Sequence, residues 1–479
     1  MSVKFLIIGD LHSADTPVPQ LPKRRGDLAE TLLYRALFMA KNFDDIDAVL
    51  LVGDIINDHL VTQHIQQDKV RRIKKLLDDT GLPYLAVPGN HDYHPVMFNA
   101  FFPQPDYLEV KGIRIVPFSD PTVPRYNAER QPEDMQRLAA AREGFKGRIA
   151  ALQHVPVVIP GSVSPYGYTN CAEVRKVMQE TGTTLSISGH YHPGIPVFTE
   201  DNITFVTASA LCETPFKYQT VTWNDDGSVS CFERQLKLPD DYPYLDIHTH
   251  SPYGYCAENM NLTTEYDQLD IWGLEKAAVT EHSRHLWFEP TGSWFKSGMD
   301  SKEIFNRFDV YFDSCQTTAD RLIPGLEIDC AANGDIILPP QYAAPAQIKI
   351  GGLHKLTDTS DQDKCRQEFL YLTRRLAEAG LPVLAHPLRI LKKYRCDDRP
   401  VYRQLVEILK EYNMAAEINC HQDLPEPEFY RLCLDSGVKL VFGSDAHNLR
   451  DFGFLQPHIE FLRSIGFNGS WQDILLKIN

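Results

Sequence analysis

Short polar clusters follow apolar runs through the first two hundred residues, and each cluster contains side chains that bind divalent metals. The clusters are Asp10-Leu11-His12, Gly53-Asp54, Gly89-Asn90-His91-Asp92, His154 and Gly189-His190-Tyr191-His192. Carboxylate and amide oxygens combined with imidazole nitrogens form mixed ligand sets that suit manganese, iron or zinc. These residue types therefore predict a metal centre in this half of the chain.

The spacing of these ligands indicates two ions. Asp10 and His12 are two residues apart, so both side chains point to the same side of an extended segment. Asp54 has two carboxylate oxygens that could bridge two ions, and Gly53 lets the backbone approach closely. Two ions about 4 Å apart can clamp both the attacking and the leaving oxygen of a phosphoryl transfer. Each motif alone is weakly informative, whereas all of them in this order favour a dimetal site.

A second set of metal-binding residues occupies the second half of the chain. It consists of His248-Thr249-His250, Glu281-His282, Glu327, His354, His386 and Ser444-Asp445-Ala446-His447. Each group ends a strand-like segment, and ligands from the ends of many strands are what a site at the top of a βα barrel requires. The sequence therefore predicts a second metal centre.

The elements that position the first set alternate between strands and helices. Short apolar segments rich in β-branched residues predict buried strands at 3–9, 48–53, 84–88, 148–153 and 185–189. Helices are predicted at 27–43, 61–79, 131–142 and 172–180. This alternation predicts a layered α/β fold. After His192 the pattern changes and predicts successive antiparallel strands at 203–208, 218–223 and 228–235.

The second set lies on another alternation, which follows a predicted proline-containing linker at 239–243. Strands are predicted at 244–247, 277–280, 322–328, 348–351, 383–385, 415–418 and 440–443. Helices are predicted near 263–272, 302–319, 361–379, 400–412, 426–436 and 471–478. Seven βα-like units predict a closed barrel with its site at the C-terminal ends of the strands.

Residues 1–238 resemble the calcineurin-like metallophosphoesterase family in all of the first set of motifs. The resemblance implies a four-layer α/β/β/α sandwich that holds two ions of manganese, iron or zinc, with Asp54 as the bridge. It implies that one ion is held by Asp10, His12, Asp54 and His192, and the other by Asp54, Asn90, His154 and His190.

The same resemblance gives catalytic roles to two further residues. His91 would face the substrate and stabilise or protonate the leaving group. Asp92 would orient His91 and fix its tautomer, as carboxylates behind a working histidine do. The basic residues Lys23, Arg24 and Arg25 could meet a phosphate, but a solvated basic turn is the favoured interpretation.

Residues 244–479 resemble the PHP family, named for polymerase and histidinol phosphatase. The resemblance implies a distorted (β/α)7 barrel that holds two or three ions of manganese, zinc or iron, with Glu327 as a bridging carboxylate. The implied ligands are His248, His250, His282, Glu327, His354, His386, Asp445 and His447. Arg284 is placed to reach a substrate phosphate beside the ions and is predicted to act in catalysis. Arg389 shares this placement, and a surface salt bridge is the alternative for both arginines.

One position departs from the pattern of the second family. Near Cys256 the family usually carries an aspartate or histidine ligand, whereas this chain reads Tyr-Gly-Tyr-Cys-Ala-Glu over residues 253–258. Three interpretations stay open: Cys256 binds as a thiolate, Glu258 substitutes for the missing ligand, or one ion is held more weakly.

Composition narrows the classes of protein and partner. The length of 479 residues predicts two or three domains. The net charge of −16 disfavours sequence-independent binding to nucleic acid, which depends on lysine and arginine. The ten cysteines show no C-x-x-C spacing, as expected of reduced thiols in a cytoplasmic protein. No signal peptide or membrane span is predicted.

These patterns together predict a cytoplasmic, metal-dependent hydrolase of phosphate esters with two active sites. The first site would cleave a phosphodiester and the second a phosphomonoester, in a small nucleotide or another phosphorylated metabolite. Two alternatives stay open. One is a nuclease acting on DNA or RNA ends, which the acidic charge disfavours. The other is a chain in which one domain binds a regulatory ligand for the other. The natural substrate and the oligomeric state stay open.

Overall fold

The computed structural model describes residues 2–57, 63–162, 165–240, 245–290, 293–421 and 423–478. The chain divides into two compact units, Met1–Lys237 and Leu238–Asn479. Residues 241–243 of the predicted linker at 239–243 lie outside the described residues. Each unit is built around its own parallel or mixed sheets.

Two sheets organise the first unit. Its strands are β1 (Val3–Ile8), β2 (Ala48–Leu51), β3 (Tyr84–Ala86), β4 (Leu108–Val110), β5 (Ile113–Pro117), β6 (Thr122–Val123), β7 (Asn127–Ala128), β8 (Arg148–Leu152), β9 (Thr183–Ser188), β10 (Ile195–Glu200), β11 (Ile203–Thr207), β12 (Lys217–Trp223) and β13 (Val229–Gln235). The first sheet has the order β13-β12-β1-β2-β3 and the second has the order β10-β11-β9-β8-β5-β4. β6 pairs with β7.

The main core of this unit lies between the two sheets. β1 contributes Phe5 and Ile7 to it, and β9 contributes Leu185 and Ile187 from the other sheet. The intervening residue Leu6 is buried as well. β1 is therefore a continuous apolar run, as strands covered on both faces are.

The helices of the first unit are α1 (Ala29–Met39), α2 (Gln63–Asp78), α3 (Pro95–Phe101), α4 (Pro132–Arg142) and α5 (Cys171–Glu180). α4 and α5 pack on the outer face of the second sheet, where Leu138 and Met178 join a core with Ile149 and Phe205. The layered α/β character predicted from the sequence is present in this unit.

The strand partners after His192 differ from the prediction. β11 pairs in parallel with β9 and antiparallel with β10, whereas β12 and β13 form an antiparallel pair beside β1. The prediction that the segments at 203–208 and 218–223 are successive antiparallel neighbours is therefore wrong. Alternating side chains identify a strand, but they do not specify which of two sheets it joins when both sheets face one core.

A parallel, nearly closed barrel organises the second unit. Its strands are β14 (Leu245–Thr249), β15 (Lys276–His282), β16 (Leu322–Asp329), β17 (Ile348–Gly352), β18 (Val383–Leu384), β19 (Ala415–Asn419) and β20 (Leu440–Gly443), and they neighbour one another in chain order. The first and last strands meet because the Asp445 N–H donates to the His248 carbonyl at 2.7 Å. The His250 N–H likewise donates to the Ala446 carbonyl at 3.0 Å.

The helices of the second unit are α6 (Leu262–Trp272), α7 (Ser283–Trp287), α8 (Trp294–Ser297), α9 (Phe308–Cys315), α10 (Gln362–Glu378), α11 (Arg389–Lys393), α12 (Tyr402–Glu411), α13 (Pro427–Ser436), α14 (Gln456–Ser464) and α15 (Trp471–Ile474). Residues of β14, β17, β18 and β20 form the core inside the barrel, including Ile247, Ile350, Val383 and Val441. In the described part of the chain, no helix is long and apolar enough to cross a membrane.

Two predicted helices are shorter than expected. The helix predicted at 302–319 is confined to α9, because Ile304 bridges Phe288 and the Phe305 N–H donates to the Trp287 carbonyl. The helix predicted at 471–478 ends at Ile474, because Leu475 bridges Leu440 of β20. Backbone pairing with a distant segment thus replaces the first turns of one predicted helix and the last turn of the other.

Candidate metal centres

The first set of predicted ligands converges at the strand ends of the first unit. Asp10 and His12 follow β1, Asp54 follows β2, and His190 follows β9. All four have a left-handed backbone, with φ of 44° at Asp10 and His12, 51° at Asp54 and 66° at His190. Such conformations are disfavoured for residues with a side chain and concentrate at functional sites.

Two histidine pairs face one carboxylate oxygen. His12 Nε2 lies 3.1 Å from His192 Nε2, and His154 Nε2 lies 3.0 Å from His190 Nδ1. Asp54 Oδ2 lies 3.5 Å from His12 Nε2 and 3.4 Å from His154 Nε2. One oxygen atom therefore stands between both pairs, as a bridging carboxylate would.

The two remaining predicted ligands lie on opposite sides of this bridge. Asp10 Oδ1 is 3.7 Å from His192 Nε2, whereas Asn90 Oδ1 is 3.1 Å from His154 Nε2. Asp10, His12 and His192 form one group whose ligand atoms lie within 4.8 Å of one another, and Asp54, His154 and His190 form another. Both groups offer the mixed oxygen and nitrogen donors that suit a divalent ion.

Glycines allow the strand ends to approach this closely. A Cβ on Gly89 would lie 2.2 Å from Asp54 Oδ1, and a Cβ on Gly189 would lie 2.8 Å from Asp10 Oδ2. On Gly53, whose φ is +97°, it would lie 2.5 Å from His154 Nδ1. Any side chain at these positions would displace a ligand.

The second set of predicted ligands surrounds Glu327 at the C-terminal ends of the barrel strands. Glu327 Oε1 lies 2.8 Å from His386 Nε2 and 3.1 Å from His354 Nε2. Glu327 Oε2 lies 2.6 Å from His282 Nδ1 and 3.5 Å from His248 Nε2. Both oxygens of one fully buried carboxylate thus face two imidazoles each.

Asp445 faces the opposite side of the same cluster. Its Oδ1 lies 3.0 Å from His250 Nε2, 3.4 Å from His248 Nε2 and 3.5 Å from His447 Nδ1. The eight predicted ligands of the second unit are therefore brought together by six strands and the residues that follow them.

Several buried atoms of this cluster make no hydrogen bond among the described residues. They are His248 Nε2, His250 Nδ1, His282 Nδ1 and Glu327 Oε2. His282 Nδ1 and Glu327 Oε2 are close, but the geometry of their contact is not that of a hydrogen bond. Buried polar atoms without a partner cost free energy, and divalent ions held between them would supply the missing interaction. The ligand set therefore fits a metal centre.

The comparisons with known proteins bear on the first unit. Residues 3–194 match the model of the family described as calcineurin-like phosphoesterase. The N-terminal part of this chain is a calcineurin-like phosphoesterase domain. The match includes every ligand of the first centre, from Asp10 to His192. No curated protein matches the chain.

Two solved structures are similar to about half of the chain. One is a dimetal phosphatase from Danio rerio, with 18% identity over 49% of this chain and 96% of that chain and a TM-score of 0.42. The other is the protein TT1561 of Thermus thermophilus, with 15% identity over 48% of this chain and 99% of that chain and a TM-score of 0.34.

Charge in the phosphoesterase domain is concentrated where the ions would bind. Burial disfavours a charged imidazole, but the Asp54 carboxylate outweighs it and raises the pKa of His154 to about 9. Burial opposes ionisation of Asp54 too, yet His154 and His12 hold its pKa well below the usual range. Burial, together with the charge on His154, lowers the pKa of His190 to about 3.

His91 is held at the edge of this centre by the backbone. Its Nδ1 donates to the Asn57 carbonyl at 2.5 Å, and its backbone N–H donates to Asp54 Oδ1 at 2.9 Å. This contact assigns the hydrogen to Nδ1 and leaves Nε2 as the ring nitrogen that can meet a substrate.

The orienting role predicted for Asp92 differs in the structure. Its carboxylate accepts from the backbone N–H groups of Gly89 at 2.8 Å and Ile56 at 3.0 Å. Burial and the nearby Asp54 charge raise its pKa to about 7. The Asn57 carbonyl orients the ring of His91, and Asp92 instead holds together the loops that carry Asp54 and His91. The sequence does not distinguish these two roles, because an aspartate next to His91 could either orient the ring or accept hydrogen bonds from the neighbouring loops.

Two residues contact His192 in a way that the sequence analysis does not predict. Glu213 Oε1 accepts from His192 Nδ1 at 2.6 Å. Arg24 Nη2 lies 3.4 Å from the same nitrogen, and Arg24 Nε lies 3.8 Å from Glu213 Oε1. The solvated basic turn expected at 23–25 is therefore wrong for Arg24, which reaches the ligand shell. Nothing in the spacing of Glu213 relates it to His192.

Buried acids support the ligands of the second unit. Glu417 Oε1 lies 2.8 Å from His248 Nδ1, and Asp329 Oδ1 lies 2.8 Å from His354 Nδ1. Such partners fix the tautomer and direction of a metal-binding histidine. The sequence offered a signal for Glu417, since an acid inside the apolar strand Ala415–Asn419 must have a buried partner.

The predicted phosphate-binding arginines are tied to the centre rather than to the surface. Arg284 forms an ion pair with Asp329, and Arg389 forms one with the predicted ligand Asp445. Arg389 also contacts Asn419 Oδ1 at 2.5 Å. The surface salt bridge considered for both arginines is therefore excluded, because their partners are buried.

Cys256 and Glu258 occupy different surroundings. Cys256 lies in a group with His250, His282 and His447 whose ligand atoms are within 4.8 Å of one another. Glu258 Oε2 instead accepts from Asn448 Nδ2 at 2.7 Å at the surface. Burial raises the pKa of the Cys256 thiol, so it is protonated unless a positive charge is adjacent.

Proposed function

We propose that this chain is a phosphoester hydrolase with two metal-dependent sites, a phosphodiesterase site in the first domain and a phosphomonoesterase site in a PHP-type barrel. The observation that carries the proposal is the position of Asp54 Oδ2 between two histidine pairs, 3.5 Å from His12 Nε2 and 3.4 Å from His154 Nε2. A carboxylate at this place could hold two ions, which would supply the two-metal activation that phosphoryl transfer uses.

In the first site the chain positions the substrate and moves a proton. When bound, the ions supply Lewis-acid activation of water and of the phosphoryl oxygens. Asp10, His12, Asp54 and His192 would hold one ion, and Asp54, Asn90, His154 and His190 the other. His91 presents Nε2 to the leaving group and stabilises or protonates it, while the Asn57 carbonyl keeps the ring in place. Asp92 holds the two loops together.

In the second site Glu327 and Asp445 draw the histidines together, and His248, His250, His282, His354, His386 and His447 complete the set for two or three ions. Arg284 lines a cleft of about 170 Å³ together with Tyr255, His285 and Trp294. A guanidinium at the rim of a metal cluster stabilises the charge that develops on a transferring phosphoryl group.

The substrate we propose is a small phosphorylated molecule that is hydrolysed in two steps, from diester to monoester and from monoester to alcohol. A nucleotide is one molecule that fits this description. The net charge of −16 disfavours a nucleic-acid substrate. A cytoplasmic location and transfer of the first product to the second site belong to the same proposal. The metals we propose are manganese, iron or zinc.

The test is hydrolysis of bis-(p-nitrophenyl) phosphate with added Mn²⁺, comparing the wild type with Asp54→Asn and His250→Ala, followed by a screen of phosphomonoesters. The proposal requires that Asp54→Asn abolish diester hydrolysis and spare monoester hydrolysis, and that His250→Ala do the opposite. A wild type that is inert with every metal tried would remove the proposal, and a ligand-binding role would replace it.

A further inference from the structure

One nitrogen–sulfur group at the second centre overlaps the ligands that contact Glu327 and Asp445. It consists of His250, Cys256, His282 and His447, each of which offers one ligand atom within 4.8 Å of the others. The imidazole rings are closely packed, with centroids 4.0 Å apart for His250 and His447 and 4.5 Å apart for His250 and His282.

The dimensions of this group suit a tetrahedral ion. Bonds of about 2.0–2.1 Å to nitrogen and about 2.3 Å to sulfur place neighbouring ligand atoms roughly 3.3–3.8 Å apart. Separations of at most 4.8 Å therefore need only small side-chain movements. Imidazole nitrogen and thiolate sulfur are both ligands that zinc takes in proteins.

A second observation points to a missing partner in the same group. Nδ1 of His250 is buried and lies 3.5 Å from Glu281 Oε1, but it makes no hydrogen bond among the described residues. The side chain itself is completely shielded from solvent. Leaving such an atom without a partner is costly, so a ligand is expected there.

We propose that Cys256 binds a metal ion together with His250, His282 and His447, and that this thiolate makes the site select zinc over manganese. This inference rests on the proposed multimetal site of the second unit. It adds one ligand, Cys256, and a preference of that site for zinc. Soft thiolate ligands favour zinc, whereas carboxylate ligands suit manganese. The Glu327 group offers the harder donors, so one barrel would hold ions of two different preferences.

The other cysteines provide the controls. Cys231 on β13 is half-buried like Cys256 but belongs to the first unit. Cys212 donates its backbone N–H to the carbonyl of Asp10, a predicted ligand of the first centre, at 3.3 Å. Variants of both separate sulfur at the second site from sulfur elsewhere.

The experiment is absorption spectroscopy of the full chain after chelation and reconstitution with Co²⁺ alone, which replaces zinc and reports sulfur ligands through a thiolate-to-cobalt charge-transfer band. We expect the band in the wild type, Cys231→Ser and Cys212→Ser, and its loss in Cys256→Ser. The visible cobalt bands of the remaining sites should persist in Cys256→Ser and show that it is folded. Zinc content should fall by about one ion per chain in Cys256→Asp when manganese competes.

Three results would overturn the inference: no band in the wild type, a band that survives in Cys256→Ser, or a band that only Cys212→Ser removes. These failures are distinct from failure of the proposed function. A chain that hydrolyses phosphomonoesters but shows no band loses only the sulfur ligand. A chain that shows the band but hydrolyses no phosphomonoester keeps the metal site and loses the proposed reaction.

Discussion

At the scale of single residues, some predicted metal-binding histidines have a partner on the ring nitrogen that faces away from the centre. His192 Nδ1 contacts Glu213 Oε1 at 2.6 Å, and His154 Nδ1 donates to the Val52 carbonyl at 2.7 Å. These partners fix the tautomer that presents Nε2 to the centre. A carboxylate can be removed by substitution and a carbonyl cannot, so Glu213 is the residue that tests this role.

Glu213→Ala should weaken the phosphoesterase site without unfolding the domain. Loss of a partner behind a metal-binding histidine typically costs about 10–100-fold in metal affinity or activity. We expect a loss in this range for hydrolysis of bis-(p-nitrophenyl) phosphate, with partial recovery at high Mn²⁺. The matched control is Glu200→Ala, an exposed carboxylate on β10. Equal activity of the two variants would show that Glu213 does not position His192.

The residues that the sequence revealed are those with a local pattern. Asp10, Asp54 and Asn90 each follow a buried strand, so their types and positions could be read together. Glu213 has no such pattern, because its contact with His192 is made by an irregular segment. The exchange of roles between Asp92 and the Asn57 carbonyl was also beyond the sequence, since every residue carries the same carbonyl group.

At the scale of elements, the barrel strands end so close to the second centre that their backbone shapes it. A Cβ on Gly352 at the end of β17 would lie 2.2 Å from Glu327 Oε1. The neighbouring Gly351 faces the opposite side, where a Cβ would lie 3.0 Å from the flexible end of Leu381. Of these two adjacent glycines, Gly352 therefore leaves room for Glu327 and Gly351 leaves room for Leu381.

Gly352→Ala should displace Glu327 and empty the second centre. We expect loss of bound zinc and manganese from this centre, measured by elemental analysis after gel filtration, while Gly351→Ala keeps the wild-type metal content. Glu327 contacts four histidines, so its movement affects more than one ligand group. Wild-type metal content in Gly352→Ala would show that Glu327 is not the bridge.

Helix α6 carries a buried acid that makes stability depend on pH. Glu265 is completely buried, and neither carboxylate oxygen has a hydrogen-bond partner among the described residues. Burial raises its pKa from 4.5 to about 8. Between these values the folded protein holds a proton that the unfolded chain has lost. The contribution to stability is therefore full below about pH 4.5 and is lost as pH rises through about 8.

The comparison of the wild type with Glu265→Gln isolates this effect, because glutamine keeps the shape and cannot ionise. Between pH 5 and pH 8 the free energy of unfolding of the wild type should fall by roughly 3 kcal/mol relative to the variant. Chemical denaturation at each pH measures it. Parallel pH profiles for the two proteins would contradict a raised pKa.

The apolar pattern of the sequence predicts where strands lie better than it predicts which strands pair. The apolar segments predicted the position of every barrel strand, and β20 has the predicted bounds. They did not reveal that β11 and β12 lie in different sheets, nor the end of α15 at Ile474. Strand partners depend on contacts between distant segments, which the local pattern of side chains does not encode.

At the scale of the whole molecule, each unit gathers buried acids and histidines, and some of their polar atoms make no hydrogen bond among the described residues. Ions that bind the folded chain and not the unfolded one stabilise it by about 2.7 kcal/mol at a concentration of 100 Kd. The net charge of −16 adds to the attraction for cations. Metal removal should therefore be visible as a loss of stability.

A chelator should lower the Tm of the wild type, and added Mn²⁺ or Zn²⁺ should restore it. Asp54→Asn should reduce the shift because the bridge of the first centre is lost, whereas Asp79→Asn, an exposed carboxylate that pairs with Lys75, should leave it unchanged. Differential scanning calorimetry with and without chelator measures both. A chelator effect of equal size in all three proteins would show that Asp54 contributes nothing to metal binding.

Anomalous diffraction from crystals grown with Mn²⁺ and Zn²⁺ tests the central claim most directly, because it locates ions without reference to activity. We predict two peaks about 4 Å apart on either side of Asp54 Oδ2, and further peaks around Glu327. Crystals without an ion within about 2.2 Å of Asp54 Oδ2 would contradict the dimetal assignment of the first centre.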